Sequence, residues 1–82
     1  MSSIQKAAAA TAEIDGHVFT ALEALRGFDG RIANGYGVYS DPSNLRRDLV
    51  EARKAIESAL SVMQATAWPT EAQYEKAEQS CI

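Results

Sequence analysis

Residues able to do chemistry are few in this sequence, and their spacing limits what they could do. His17 is the one imidazole and Cys81 the one thiol among 82 residues. Glu13 and His17 stand four apart in a helical pattern and could share a metal with groups elsewhere in the chain. Carboxylate di-metal bundles, however, use Glu-x-x-His in duplicate, and here neither the spacing nor the repetition is present. A lone histidine without a ligand cluster reads as a surface or interface side chain. Cys81, next to last, lacks a base and a held geometry and reads as inert or as the source of an adventitious intermolecular disulfide. Gly30, Gly35 and Gly37 follow no strand, so they do not form a nucleotide fingerprint. No catalytic residue, metal ligand or cofactor is assigned, and the chain is expected not to be an enzyme.

Charge is the more informative chemistry. Four of the eight basic residues, Arg26, Arg31, Arg46 and Arg47, cluster at the end of the chain's hairpin around the stretch from Gly27 to Asp41. Arginines beside the N-terminus of a helix could hold a phosphate or carboxylate, because the helix dipole and free amides add to their charge. Arg31, Arg46 and Arg47 are therefore the candidate anion site, with Tyr36 and Tyr39 as flat walls. The plainer reading pairs these arginines with Asp29, Asp41, Asp48 and Glu51 as a solvated rim.

The elements that must position these residues are helices. Ser2-x-x-Gln5 has capping-box spacing, and Ile4, Ala7, Thr11, Ile14, Val18, Ala21, Leu25 and Phe28 follow an unbroken 3-4 repeat. Such a repeat is a coiled-coil-like seam, which Gly27 is expected to end as a C-cap. Asp41 and Pro42 suit the N-cap and first position of a second helix. Its seam would be Leu45, Leu49, Ala52, Ile56, Ala59, Met63 and Thr66, with Arg47–Glu51 and Arg53–Glu57 as i,i+4 pairs. Trp68-Pro69 closes it, since a residue before proline is pushed out of helical geometry. Thr70-x-x-Gln73 opens a short third helix on which Tyr74, Ala77 and Cys81 share a side.

Between the two long helices lies a glycine- and tyrosine-rich connection. It is longer than the roughly 2–8 residues usual between helices, and long connections are often functional. Asn34-Gly35 predicts a type I′ turn, and Phe28, Ile32, Val38 and Tyr39 supply apolar area for the loop to fold back over the helix ends. Phe28, Arg31, Tyr36 and Tyr39 are the candidate partner contacts.

Composition sets the class. A hydrophobic fraction of 46% is that of a folded domain, and a net charge of −3 argues against general nucleic-acid binding. No apolar run approaches the ~20 residues of a membrane span, and the N-terminal residues lack signal-peptide character. The single cysteine fits a reducing compartment, so the expected location is cytoplasmic.

The sequence thus predicts an all-α single domain over 1–82: helix about 3–26, loop 27–41, helix about 42–67 and short helix about 70–80. An antiparallel hairpin leaves both flanks open, and a small core gains only about 3–5 kcal/mol. Pairing of two hairpins into a dimeric four-helix bundle is therefore expected. Ala8, Ala12, Gly16 and Phe19 form a second stripe of mostly small residues. Together with Leu22, Leu60 and Val62, they are the candidate self-association surface.

Pro42-Ser43-Asn44 resembles the turn of type III secretion needle subunits, and Tyr74 to Glu78 the tyrosine-x-x-x-acid tail of the tryptophan-x-glycine secreted hairpins. The second proline of the former and the Trp-x-Gly turn of the latter are absent, so neither family is assigned. Three roles follow: an interaction or adaptor module presenting the 27–41 loop to a protein partner, an anionic small-molecule binder, or a secreted or polymerising subunit.

Overall fold

The computed structural model describes residues 3–80. It is all-α: α1 (Ser3–Ala33), α2 (Ser43–Ala65) and α3 (Glu71–Ser80), with α1 and α2 packed as an antiparallel hairpin and no strand among the described residues. The expected cap at Ser2 and the thiol of Cys81 lie outside the described residues. No helix is long and apolar enough to cross a membrane among those described.

The first correction concerns where α1 ends. Gly27 does not stop it; the helix runs through Gly27 and Gly30 to Ala33, and the connection shrinks to the residues before Ser43. A glycine inside a helix costs about 1 kcal/mol, so something beyond Gly27 must hold the last turns. Phe28 is half-buried, and Arg31 is tied to α2 through Asp48. Those cross-helix contacts outweigh the local preference to stop.

The second correction concerns the seam. Buried or half-buried positions on α1 are 4, 7, 10, 14, 17, 21, 24, 28 and 31, and on α2 they include 45, 48, 52, 55, 59 and 62, continued by Thr66 at its C-cap. Each helix is turned by one position in every heptad from the expected seam. The core is thereby mostly alanine: Ala7, Ala10 and Ala21 on α1, Ala52, Ala55 and Ala59 on α2. Small side chains let two backbones approach closely. Val18, Leu25, Leu49, Ile56 and Met63, expected inside, are 40–48% exposed. Two helices share one line of contact, so only one of two adjacent columns can occupy it. His17 sits half-buried in this line rather than beside it.

The third helix does not close the hairpin. It begins as the sequence predicts, with the Gln73 amide donating to Thr70 Oγ1 at 3.3 Å and the Thr70 amide to Gln73 Oε1 at 2.8 Å. It touches α1 only sparsely and does not reach α2. Its described side chains, Glu71 to Lys76, are all exposed. At the corner before it, Pro69 is buried and Trp68 Nε1 donates to the Met63 carbonyl at 3.0 Å, satisfying a group left open where α2 ends.

The result is a rod of 59 × 25 × 17 Å with a radius of gyration of 18.5 Å, against about 12 Å for a compact domain of this length.

Candidate functional site at the hairpin turn

Gly35 is the residue on which the turn depends. The Tyr36 amide donates to the Arg31 carbonyl and the Gly35 amide to the Ile32 carbonyl, both at 3.0 Å. That 6→1 and 5→2 pair is the Schellman ending of a helix, with Gly35 left-handed at φ +83°. Among the described residues no non-glycine residue has positive φ, so Asn34 does not form the expected type I′ turn, in which both central residues are left-handed. Asn34 instead stays with the helix, its side-chain amide donating to the Gly30 carbonyl at 2.9 Å.

Beyond Gly35 the chain folds on itself. The Val38 and Tyr39 amides both donate to the Gly35 carbonyl, at 3.0 and 2.8 Å, and the Gly37 amide donates to the Ser40 carbonyl at 3.0 Å. The Tyr39 ring lies so close over Gly35 that a Cβ there would stand 2.5 Å from Cδ2. Gly37, at φ +87°, lies against Leu45, where a Cβ would meet Cδ1 at 3.3 Å. Both glycines are therefore needed for conformation, and Gly35 also for space; at Gly37 the end of the Leu45 side chain would have to yield only a few tenths of an ångström. Asp41 then accepts from the Ser43 hydroxyl at 2.7 Å and the Ser43 amide at 2.9 Å, a local Asx-type turn. It is not the expected N-cap, because α2 starts at Ser43 and Pro42 holds that position without a side-chain capping bond. Those bonds, the hydroxyl's first, hold the Asp41 carboxyl below its ordinary range.

One buried ion pair braces this end. Arg31 Nε donates to Asp48 Oδ2 at 2.8 Å, with the Asp48 side chain 7% exposed and that of Arg31 29%. The guanidinium carbon also sits 5.6 Å from the centre of the Tyr36 ring, a cation–π distance. Gly27 faces the same carboxylate, and a Cβ there would stand 3.8 Å from Asp48 Oδ2, an ordinary contact. Asp48 was expected only in a solvated rim; no local pattern marks it as a core residue.

The candidate contacts are thus distributed unequally. Tyr39 is 87% exposed and Val38 77%, so the loop does not fold back over the helix ends as expected. Tyr36 is half-buried under Arg31, and Phe28 is half-buried in the hairpin. Of the three candidate anion-binding arginines, Arg31 is engaged by Asp48, whereas Arg46 and Arg47 are exposed. The Arg53–Glu57 pair forms at 3.7 Å, but Arg47 and Glu51 do not pair.

The self-association candidates separate as well. Ala8, Ala12 and Gly16 are exposed, Phe19 is 61% exposed, and nothing lies within 4 Å of a Cβ built on Gly16. Leu22 and Leu60 are 47% and 51% exposed, while Val62 faces into the hairpin. Val62 also borders an open groove of about 480 Å³ with Lys6, Ala10, Glu13 and Thr66. Among the described residues no group of three or more His, Cys, Asp and Glu side chains could hold a metal ion.

No family model, curated protein or solved structure matches this chain.

Proposed function

We propose that this chain is a non-enzymatic interaction module that self-associates and presents its hairpin turn to a protein partner. The observation that carries this reading is the presentation of Val38 and Tyr39, 77% and 87% exposed, on a turn fixed by backbone hydrogen bonds and two left-handed glycines. A pre-ordered side chain loses little entropy on binding, and tyrosine is enriched among residues that dominate interface energies. Arg31 acts here as a brace, which favours a protein-contact role for the turn over an anion site built around its guanidinium. Self-association accounts for the large apolar side chains left uncovered along the rod.

The test is affinity capture with the wild-type chain and with Val38→Ser/Tyr39→Ser, followed by identification of what each retains. Both side chains are exposed, so the variant keeps its helicity. Loss of specific proteins from the variant's set supports the reading; identical sets overturn it.

A further inference from the structure

Most of the large apolar side chains that α1 and α2 leave exposed, Phe19 excepted, lie on one face of the hairpin, and that face carries its own charge pattern. On α1 the stripe Val18, Leu22, Leu25, Asp29, Ile32 keeps a 4-3-4-3 spacing, and each member is exposed. On α2 the stripe Arg46, Leu49, Arg53, Ile56, Leu60, Met63 keeps 3-4-3-4-3, again exposed throughout. Each stripe flanks the buried seam on the same rotational side of its helix. In an antiparallel pair equal rotations bring both stripes to a single face of the rod. The groove bordered by Lys6 and Glu13 lies on the opposite side.

From this we infer that a second copy of the chain covers this face, stacking α1 of each hairpin on α2 of the other with both turns at the same end. The inference rests on the reading of the chain as a self-associating module. Surface area supports the occupant. The chain exposes 6196 Å², roughly 1,400 Å² more than a compact monomer of its size. A standard interface takes about 800 Å² from each partner, an area within this excess, to which the open α3 also contributes.

Charge chooses the orientation. The only ionisable residue within the α1 stripe is an acid, Asp29, with Asp15 in line beyond Val18; those in the α2 stripe are the bases Arg46 and Arg53. A pairing with turns at opposite ends lays acid stripe on acid stripe and base on base. With turns at the same end, each acidic stripe meets a basic one. The register that sets Gly27 beside Asp48 puts Asp29 and Arg46 at one level along the rod, so the two-fold axis brings Asp29 of each copy to Arg46 of the other. Neither has an ion-pair partner among the described residues of its own chain. Charges flanking a helical seam set partner orientation in this way.

Sedimentation equilibrium on the full chain tests this, with circular dichroism as a check on folding. The wild type is expected to be a dimer, and Ile56→Glu, a good helix former at an exposed site, to raise the dimer Kd by about a hundredfold or more. Asp29→Arg and Arg46→Glu are each expected to raise it about tenfold. The combined Asp29→Arg/Arg46→Glu variant should return to within about threefold of the wild type. If Ile56→Glu loses helicity, the charge exchange on two exposed side chains still decides the matter. A double variant no tighter than either single one overturns the orientation. A dimer indifferent to Ile56 and to the exchange overturns the face while leaving self-association standing. A wild type that stays monomeric overturns both, and none of these outcomes bears on capture through Val38 and Tyr39.

Discussion

Arg31 and Asp48, 17 positions apart, meet at 2.8 Å in the one place among the described residues where a charged side chain is buried within the alanine seam. The pair joins the last turn of α1 to the second turn of α2 and carries the helix past two glycines. Breaking such a pair from one side leaves a buried charge without compensation. Arg31→Ala is expected to cost about 2–3 kcal/mol, below the full buried-pair range because Arg31 is partly solvated. Asp48→Ala should cost less, about 1–2 kcal/mol, since the freed guanidinium can turn to water. Arg31→Met/Asp48→Leu should return to within about 1 kcal/mol of the wild type. Urea unfolding of the three variants checks the order.

Gly35 and Gly30 should respond oppositely to alanine. At Gly35 the left-handed backbone and the Tyr39 ring both resist a Cβ, so Gly35→Ala is expected to destabilise by about 1–3 kcal/mol and to loosen the turn. At Gly30 nothing lies within 4 Å and the residue is helical, so Gly30→Ala should stabilise by about 0.5–1 kcal/mol. Thermal melts of the pair, with amide exchange at Tyr36 and Gly37, measure both.

Gly16 offers a related test of the small-residue stripe on α1. Open space surrounds its position in the hairpin, so Gly16→Ala should raise stability by about 0.5–1 kcal/mol without weakening the dimer. A weakened dimer would instead place a second chain against Ala8, Ala12 and Gly16, the arrangement expected from the sequence.

Asp41 sets a pH dependence. Its carboxyl titrates below the ordinary value of 3.8 because the Ser43 hydroxyl and then the Ser43 amide bond to the ionised form. A group depressed in the folded state contributes stability that is present above its unfolded pKa and lost as pH falls through its folded pKa. The Ser43 amide resonance should therefore titrate with a midpoint below 3.8, and Asp41→Ala should abolish that titration and fray the start of α2.

Thr70→Ala should fray α3 alone. The substitution removes one of two reciprocal capping bonds, worth about 1 kcal/mol. Because α3 barely touches the hairpin, helical ellipticity should fall slightly while the main unfolding transition stays in place. A large fall in the melting temperature would show that α3 supports the hairpin after all.

Much of this architecture is legible in the chain because it rests on local rules. The 3-4 repeats mark two long helices, Asp41-Pro42 directly precedes the second, Trp68-Pro69 follows its end at Ala65, and Thr70 with Gln73 opens the third. Each signal acts within a turn or two of backbone, where sequence neighbours are also spatial neighbours. Tyr39 was legible as a loop residue, but not its 87% exposure, since its apolar ring was expected to fold back over the helix ends.

Only the tertiary structure decided the rest. Two adjacent columns on each helix could have faced inward, and periodicity cannot rank a column of alanines against one of leucine and isoleucine. The choice depends on how closely two backbones can approach, which is a property of the pair. The same dependence carries α1 across Gly27, where a local stop signal yields to Phe28 and Arg31 reaching α2. It also turns Asp48 from a surface acid into a core residue, because its partner lies on the other helix. The helices themselves were therefore determined by the sequence near each residue, whereas the side each helix turns inward was determined by contacts between residues far apart in it.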